Sequence, residues 1–186
     1  MKVISLALIV MFGLTFLGCK KGSANHPIIP IPNGDFEQWD NIPYLAIWQT
    51  NSCPYCVPPY EPYIVKKVTD AEHGQYAAKF VYNNFFSSYA INRFAISSHP
   101  TSLIGYIKSN IATGDTAFIY IGLFSGNNKV DNGIFYETSS SPSYRQINIP
   151  ITQTATVADS AAIKIVGGHM HNTELFVDNM VFIKSE

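Results

Sequence analysis

The chain has 186 residues, a length that suits one domain, and is 47% hydrophobic but only 13% charged. Soluble chains usually carry about 25% charged residues. Net charge is −1, with no basic or acidic run, which argues against a nucleic-acid partner because phosphate neutralisation needs clustered Lys and Arg.

The N-terminus reads as an export signal. Lys2 precedes an apolar run from Val3 to Leu17, shorter than the roughly 20 residues of a bilayer-spanning helix. The run fits a signal-peptide core. It ends in Phe16-Leu17-Gly18-Cys19, which resembles a bacterial lipobox, although Phe16 is larger than the usual aliphatic residue there. The expected organisation is a signal peptide over 1–18, a tether over 19–27 lipidated at Cys19, and a folded domain over 28–186. An ordinary secretory signal with a chance cysteine is the alternative. A lipid on Cys19 places the protein at the outer membrane, with the leaflet left open.

"NSCPYCVPPYEP", at 51–62, carries the dithiol spelling of a glutaredoxin site. Thiol–disulfide catalysis needs a stabilised thiolate, commonly at a helix N-terminus. Pro58, Pro59 and Pro62 follow the second cysteine and forbid that helix. Outside the cytoplasm such a pair oxidises, so a structural disulfide between Cys53 and Cys56 is expected. Zinc held by these cysteines has no second ligand pair at finger-like spacing.

Beyond residue 62 short apolar or alternating runs dominate. Strands are expected at Tyr63–Val68, Tyr76–Tyr82, Tyr89–Ile96, Leu103–Lys108, Thr116–Phe124, Gly133–Glu137, Tyr144–Ile149, Ala161–Val166 and Leu175–Ile183. Turn signals such as "DAEHG", "ATGD", "SGNNKVDNG" and "SSSPS" separate them. Many short strands of this kind predict an all-β antiparallel sandwich or jelly roll. In "TAFIYIGLF", Ala117, Ile119, Ile121 and Leu123 share one face and Phe118, Tyr120 and Phe124 the other. Both faces are apolar, which predicts a central strand covered on both sides. His169 and His171 lie two apart in "GGHMHN", where the flanking Gly and Asn indicate exposed loop histidines rather than metal ligands.

Both ends of the domain carry familiar patterns. "IPNGDFEQWD" at 31–40 resembles the opening of galactose-binding-like jelly rolls, and "ELFVDNMVFIK" at 174–184 resembles their closing strand. "TDAEHGQYAAKF" resembles an intervening strand of the same modules. "LIGYIKSNIATGDTAFIYIGLF" and "SYRQINIPI" resemble exported lipoproteins with a carbohydrate-metabolism domain. The resemblance implies a β-sandwich related to carbohydrate-binding modules. It also implies a structural Ca²⁺ joining the two ends, with Glu37 and Asp178 as matching carboxylates; Ca²⁺ takes 6–8 oxygen ligands. The alternative is that both carboxylates accept backbone N–H groups.

A glycan is the expected ligand. Flat aromatic faces suit the apolar C–H faces of sugar rings. Loop candidates are Trp48, Tyr55, Tyr60, Phe85, Phe86 and Tyr89, with Asn51, Asn83, Asn84 and Arg93 as polar neighbours. Packing of these aromatics onto the sandwich is the competing reading. Glycosidase chemistry needs two opposed carboxyls, and Glu61, Asp70, Glu72, Asp131 and Glu137 form no recognisable pair. The expected function is therefore non-catalytic glycan binding by an outer-membrane lipoprotein. The alternatives are an assembly lipoprotein in a surface protein complex and a glycoside hydrolase or lyase.

Overall fold

The computed structural model describes residues 27–40, 44–53, 55–57, 62–82, 85–154 and 156–184. The signal peptide, Cys19, Tyr60, Glu61, Asn83 and Asn84 lie outside the described residues.

Eleven strands and no helix occur among the described residues. They are β1 (Ile28–Pro30), β2 (Gln49–Thr50), β3 (Val65–Val68), β4 (Ala77–Val81), β5 (Tyr89–Ala95), β6 (Pro100–Asn110), β7 (Ala117–Ser125), β8 (Asn128–Glu137), β9 (Ser141–Pro150), β10 (Ser160–Val166) and β11 (Glu174–Lys184). One sheet runs β3-β4-β11-β6-β9, with β1 also on β11; the other runs β2-β5-β10-β7-β8. Neighbours pair antiparallel. The architecture is the expected β-sandwich.

Alternation builds the core. Ile119, Ile121 and Leu123 of β7 are fully buried, as are Ile163 and Ile165 of β10. They face Leu103, Ile107, Val177 and Phe182 of the six-stranded sheet across one continuous core. Residues two apart share a face, so one face of each sheet fills the interior.

All nine expected strands form, but three begin earlier than their turn signals suggest. β8 starts at Asn128 because only Gly126 and Asn127 make the turn. From Asn128 onward the polar residues of "NNKVDNG" sit on an edge strand, whose outer side Asp131 and Asn132 close by hydrogen bonds to Thr152 and Thr154. β9 starts at Ser141 and accepts Pro142 for the same reason: an edge strand tolerates a missing N–H donor. β6 likewise begins at Pro100.

The two end patterns acquire physical causes. Asn33 is buried and sits at φ 47°, a region that Asn tolerates. Its Nδ2 donates to the carbonyls of Gln38 (3.0 Å) and Ala46 (2.8 Å), and its Oδ1 accepts the Gln38 N–H (3.0 Å). Gly34 lets this turn lie directly on β11: a Cβ there would stand 2.4 Å from the Met180 carbonyl oxygen. Phe36 enters the core against Trp48, ring centroids 5.4 Å apart. On β11, Leu175 and Val177 point inward, then Met180 and Phe182 do. The parity changes because a bulge between Asp178 and Val181 inserts one residue, with Asn179 at φ 46°.

Candidate functional site

The outer faces of the two sheets differ in kind. On the six-stranded sheet, Lys79 and Lys108 lie over the Phe176 ring at 5.0 and 4.4 Å. Lys79 pairs with Glu174 at 2.6 Å, and Lys108 pairs with Asp70. Tyr144 donates its hydroxyl to the Asp70 carbonyl (2.6 Å), and burial pushes its pKa up, helped by Asp70, Asp178 and Glu72. The cations and rings of this face satisfy one another.

The five-stranded sheet presents an open aromatic face. Registers align its outward residues in rows. Tyr89, Val166, Phe118 and Tyr136 form one; Ile91, Lys164, Tyr120 and Ile134 the next; Arg93, Ala162, Gly122 and Asn132 the third. Tyr136 is 59% and Ile134 41% exposed, and Phe118, Tyr120 and Phe124 are half-buried. The Phe118 and Tyr136 rings lie 6.3 Å apart. Gly122 keeps the middle of the face low: a Cβ there would meet Phe124 Cε2 at 3.1 Å and Tyr120 Cε1 at 3.4 Å. The two rings thus lean over Gly122 from either side. Beside them Arg93, Phe124, Gly126, Asn127, Ser160 and Ala162 line a hollow of about 160 Å³.

The expectation that β7 is covered on both faces is therefore corrected. β7 is central within its sheet, between β10 and β8, but no second layer of the described residues lies on Phe118, Tyr120 and Phe124. Tyr120 pairs with Lys164 and Phe124 with Lys129, and a buried face would not take lysines at those positions.

The loop candidates divide. Trp48 is only 4% exposed and donates Nε1–H to the Asn33 carbonyl at 3.1 Å. As a ligand-stacking residue it is corrected, because burial against Phe36 leaves no ring face for a sugar. Tyr55 stands at the disulfide turn, 90% exposed. Tyr89 and Arg93 belong to the aromatic face. Phe85 and Phe86 are exposed, with rings 6.4 Å apart. Asn51 is a clamp: it donates to the Ser87 carbonyl (2.9 Å) and accepts the Tyr89 N–H (2.8 Å). That joins the end of β2 to the start of β5.

Cys53 and Cys56 form the expected disulfide. The Cys56 N–H donates to the Cys53 carbonyl (3.1 Å), closing a turn rather than opening a helix. His169 and His171 are exposed loop residues, as expected. Their loop is anchored by Asp115, which accepts the N–H groups of His169 and Met170. Burial pushes the Asp115 carboxyl up, but these bonds, with Thr173 and Thr116, outweigh it and hold the carboxyl below its ordinary value.

Glu37 and Asp178 both hold the loop at 72–76. Glu37 Oε1 accepts the N–H groups of Gln75 (2.7 Å) and Tyr76 (3.0 Å), and Asp178 Oδ2 those of Glu72 and His73 (2.8 Å each). Asp178 is fully buried, and its Oδ1 has no hydrogen-bond partner. Burial raises its carboxyl above the ordinary range despite the N–H groups of His73 and Glu72. An unpartnered buried carboxylate oxygen fits a cation, and Glu37 grips the same loop as Asp178. Among the described residues no three His, Cys, Asp or Glu side chains converge, so carbonyls would have to supply the other ligands.

The remaining described carboxylates from the enzyme alternative are mostly engaged. Asp131 accepts from the Thr152 and Thr154 hydroxyls at 3.2 Å each, and Glu137 pairs with Arg145.

No protein-family model matches the chain, and no curated protein matches it in sequence. Its likeness to solved proteins lies in the fold. The carbohydrate-binding module TmCBM61, solved in complex with beta-1,4-galactotriose, aligns with a TM-score of 0.56 at 15% identity, over 83% of this chain and 97% of that one. A cyclase from Fischerella sp. TAU, in complex with 4-(1H-indol-3-yl)butan-2-one, gives 0.54 at 10% identity, over 86% and 100%. An apo cyclase from Fischerella sp. gives 0.53 at 14% identity, over 88% and 100%. The chain has the jelly-roll-like fold of carbohydrate-binding modules. Enzymes share that fold, so the site must decide between functions.

Proposed function

We propose that the outer face of the five-stranded sheet binds glycan without chemistry, and that lipid on Cys19 holds the protein at the outer membrane. The observation that carries this reading is the row arrangement of Tyr89, Phe118, Tyr120, Phe124 and Tyr136 around Gly122, with Arg93, Asn127 and Asn132 beside them. Rings give apolar area to sugar C–H faces, and the amides and guanidinium give donors to hydroxyls. The galactotriose bound to TmCBM61 supports a saccharide as the ligand class. An array of plant, algal and bacterial polysaccharides tests the reading. Retention of at least one polysaccharide is expected; an array without binding would return the weight to an assembly role in a protein complex.

Anchoring has its own test. Cys19→Ala should release the protein from the membrane fraction into the soluble one. Continued sedimentation with membranes would remove the lipid from the account.

The same reading includes a structural Ca²⁺ held by Glu37 and Asp178, clamping the first segment of the domain to its last strand. Ca²⁺ at a hundred times its dissociation constant would add about 2.7 kcal/mol, or about 5–10 °C in melting temperature for a domain of this size. Chelator should reverse the shift and Asp178→Asn should abolish it. A melting temperature indifferent to Ca²⁺ and chelator would rule the ion out.

A further inference from the structure

We infer that the glycan is anionic, and that Arg93 and Lys164 receive its carboxylate or sulfate groups; this rests on the glycan-binding reading of the same face. Arg93 on β5 pairs with Ala162, and Lys164 on β10 pairs with Ile91. The two cations are thus diagonal neighbours on adjacent strands, about 7–8 Å apart at the backbone. Lys164 Nζ lies over the Tyr89 ring at 5.4 Å, and Arg93 opens into the hollow with Phe124 and Asn127.

Neither cation has a carboxylate partner among the described residues. The outward positions of β5, β10, β7 and β8 in these rows hold no Asp or Glu. The acid at the rim of the hollow is Asp159, and both its oxygens are occupied: Oδ2 accepts the Gly126 N–H (2.7 Å) and Oδ1 the Ser160 hydroxyl (2.8 Å). The opposite sheet is built the other way, with Lys79 and Lys108 each matched to a carboxylate.

In a chain with 13 acidic and 12 basic residues, an acid-free face carrying two unmatched cations among aromatic rings calls for charge from the ligand. A guanidinium binds carboxylate or sulfate through two parallel N–H bonds, and a neutral hydroxyl offers no equivalent. The rings hold the sugar, and the two cations select for its charge.

Affinity measurements on the purified protein decide this with four probes: polygalacturonate, its methyl ester, a sulfated galactan and neutral beta-1,4-galactan. The expected result is binding to an anionic probe at least about tenfold tighter than to its neutral counterpart, a difference that weakens as salt rises. Tighter binding of polygalacturonate than of its ester identifies a carboxylate, and of sulfated than of neutral galactan a sulfate. Arg93→Gln and Lys164→Gln should each narrow the preference several-fold at an unchanged melting temperature. Equal affinity for charged and neutral probes, or binding to neutral galactan alone, would overturn the anionic inference and leave glycan binding in place. Absence of binding to all four probes and to the wider array would overturn both.

Discussion

Asn33→Ala should lower the melting temperature by about 6–12 °C, the largest loss expected from removing one polar side chain. Asn33 makes three hydrogen bonds to backbone groups of Gln38 and Ala46, each contributing about 1 kcal/mol. At 2–4 °C per kcal/mol for a domain of this size, about 3 kcal/mol gives that range. Ala also tolerates φ 47° less well than Asn. Asn33→Gly separates the two effects: it relieves the backbone and loses only the side chain, so it should fall between wild type and Ala. Asn33→Asp keeps the acceptor for the Gln38 N–H but turns a carboxylate oxygen toward two carbonyls, and should be at least as damaging as Ala at neutral pH. A change below about 2 °C for Asn33→Ala would show that the turn is held by other contacts.

Tyr120→Ala with Phe124→Ala should weaken glycan binding at least about a hundredfold, since central aromatic anchors each cost about 2 kcal/mol when truncated. Each single variant should lose about tenfold or more on the same scale. The fold should survive, because both rings lie on the outer face and β7 buries its other side through Ile119, Ile121 and Leu123. Melting temperature and binding must therefore separate. Gly122→Val offers the converse test: it adds bulk where Phe124 and Tyr120 already approach within 3.1–3.4 Å of a notional Cβ. It should displace both rings and weaken binding with every aromatic still present. Binding that tracks the loss of stability, or does not change, would remove the rings from the site.

Much of the sandwich was legible because a strand exposes its fold through alternation. β7 and β10 show their inward sets directly, and all nine expected strands form. The end patterns located Glu37 and Asp178, but their shared grip on the loop at 72–76 spans long sequence separations that no local pattern announces. Tyr89 and Arg93 stand out in the sequence as binding candidates, but the strands that complete their face do not. Phe118, Tyr120 and Phe124 read as covered in the sequence because apolar alternation gives a face and not what covers it. Trp48 erred the opposite way: a loop position suggested exposure, while Phe36 and the Asn33 carbonyl draw the ring inside. Burial of a loop aromatic is decided by long-range packing, which residue spacing does not encode.

The most direct test of the central claim is backbone amide NMR during titration with an oligosaccharide cut from the tightest-binding polysaccharide of the array. Chemical-shift changes should gather on β5, β10, β7 and β8 around Arg93, Lys164, Tyr120, Gly122 and Asn132. The six-stranded sheet and the disulfide turn should stay nearly unchanged. Changes confined to the disulfide turn around Tyr55, or to the lysine-covered face around Phe176, would contradict the account and move the site elsewhere on the sandwich.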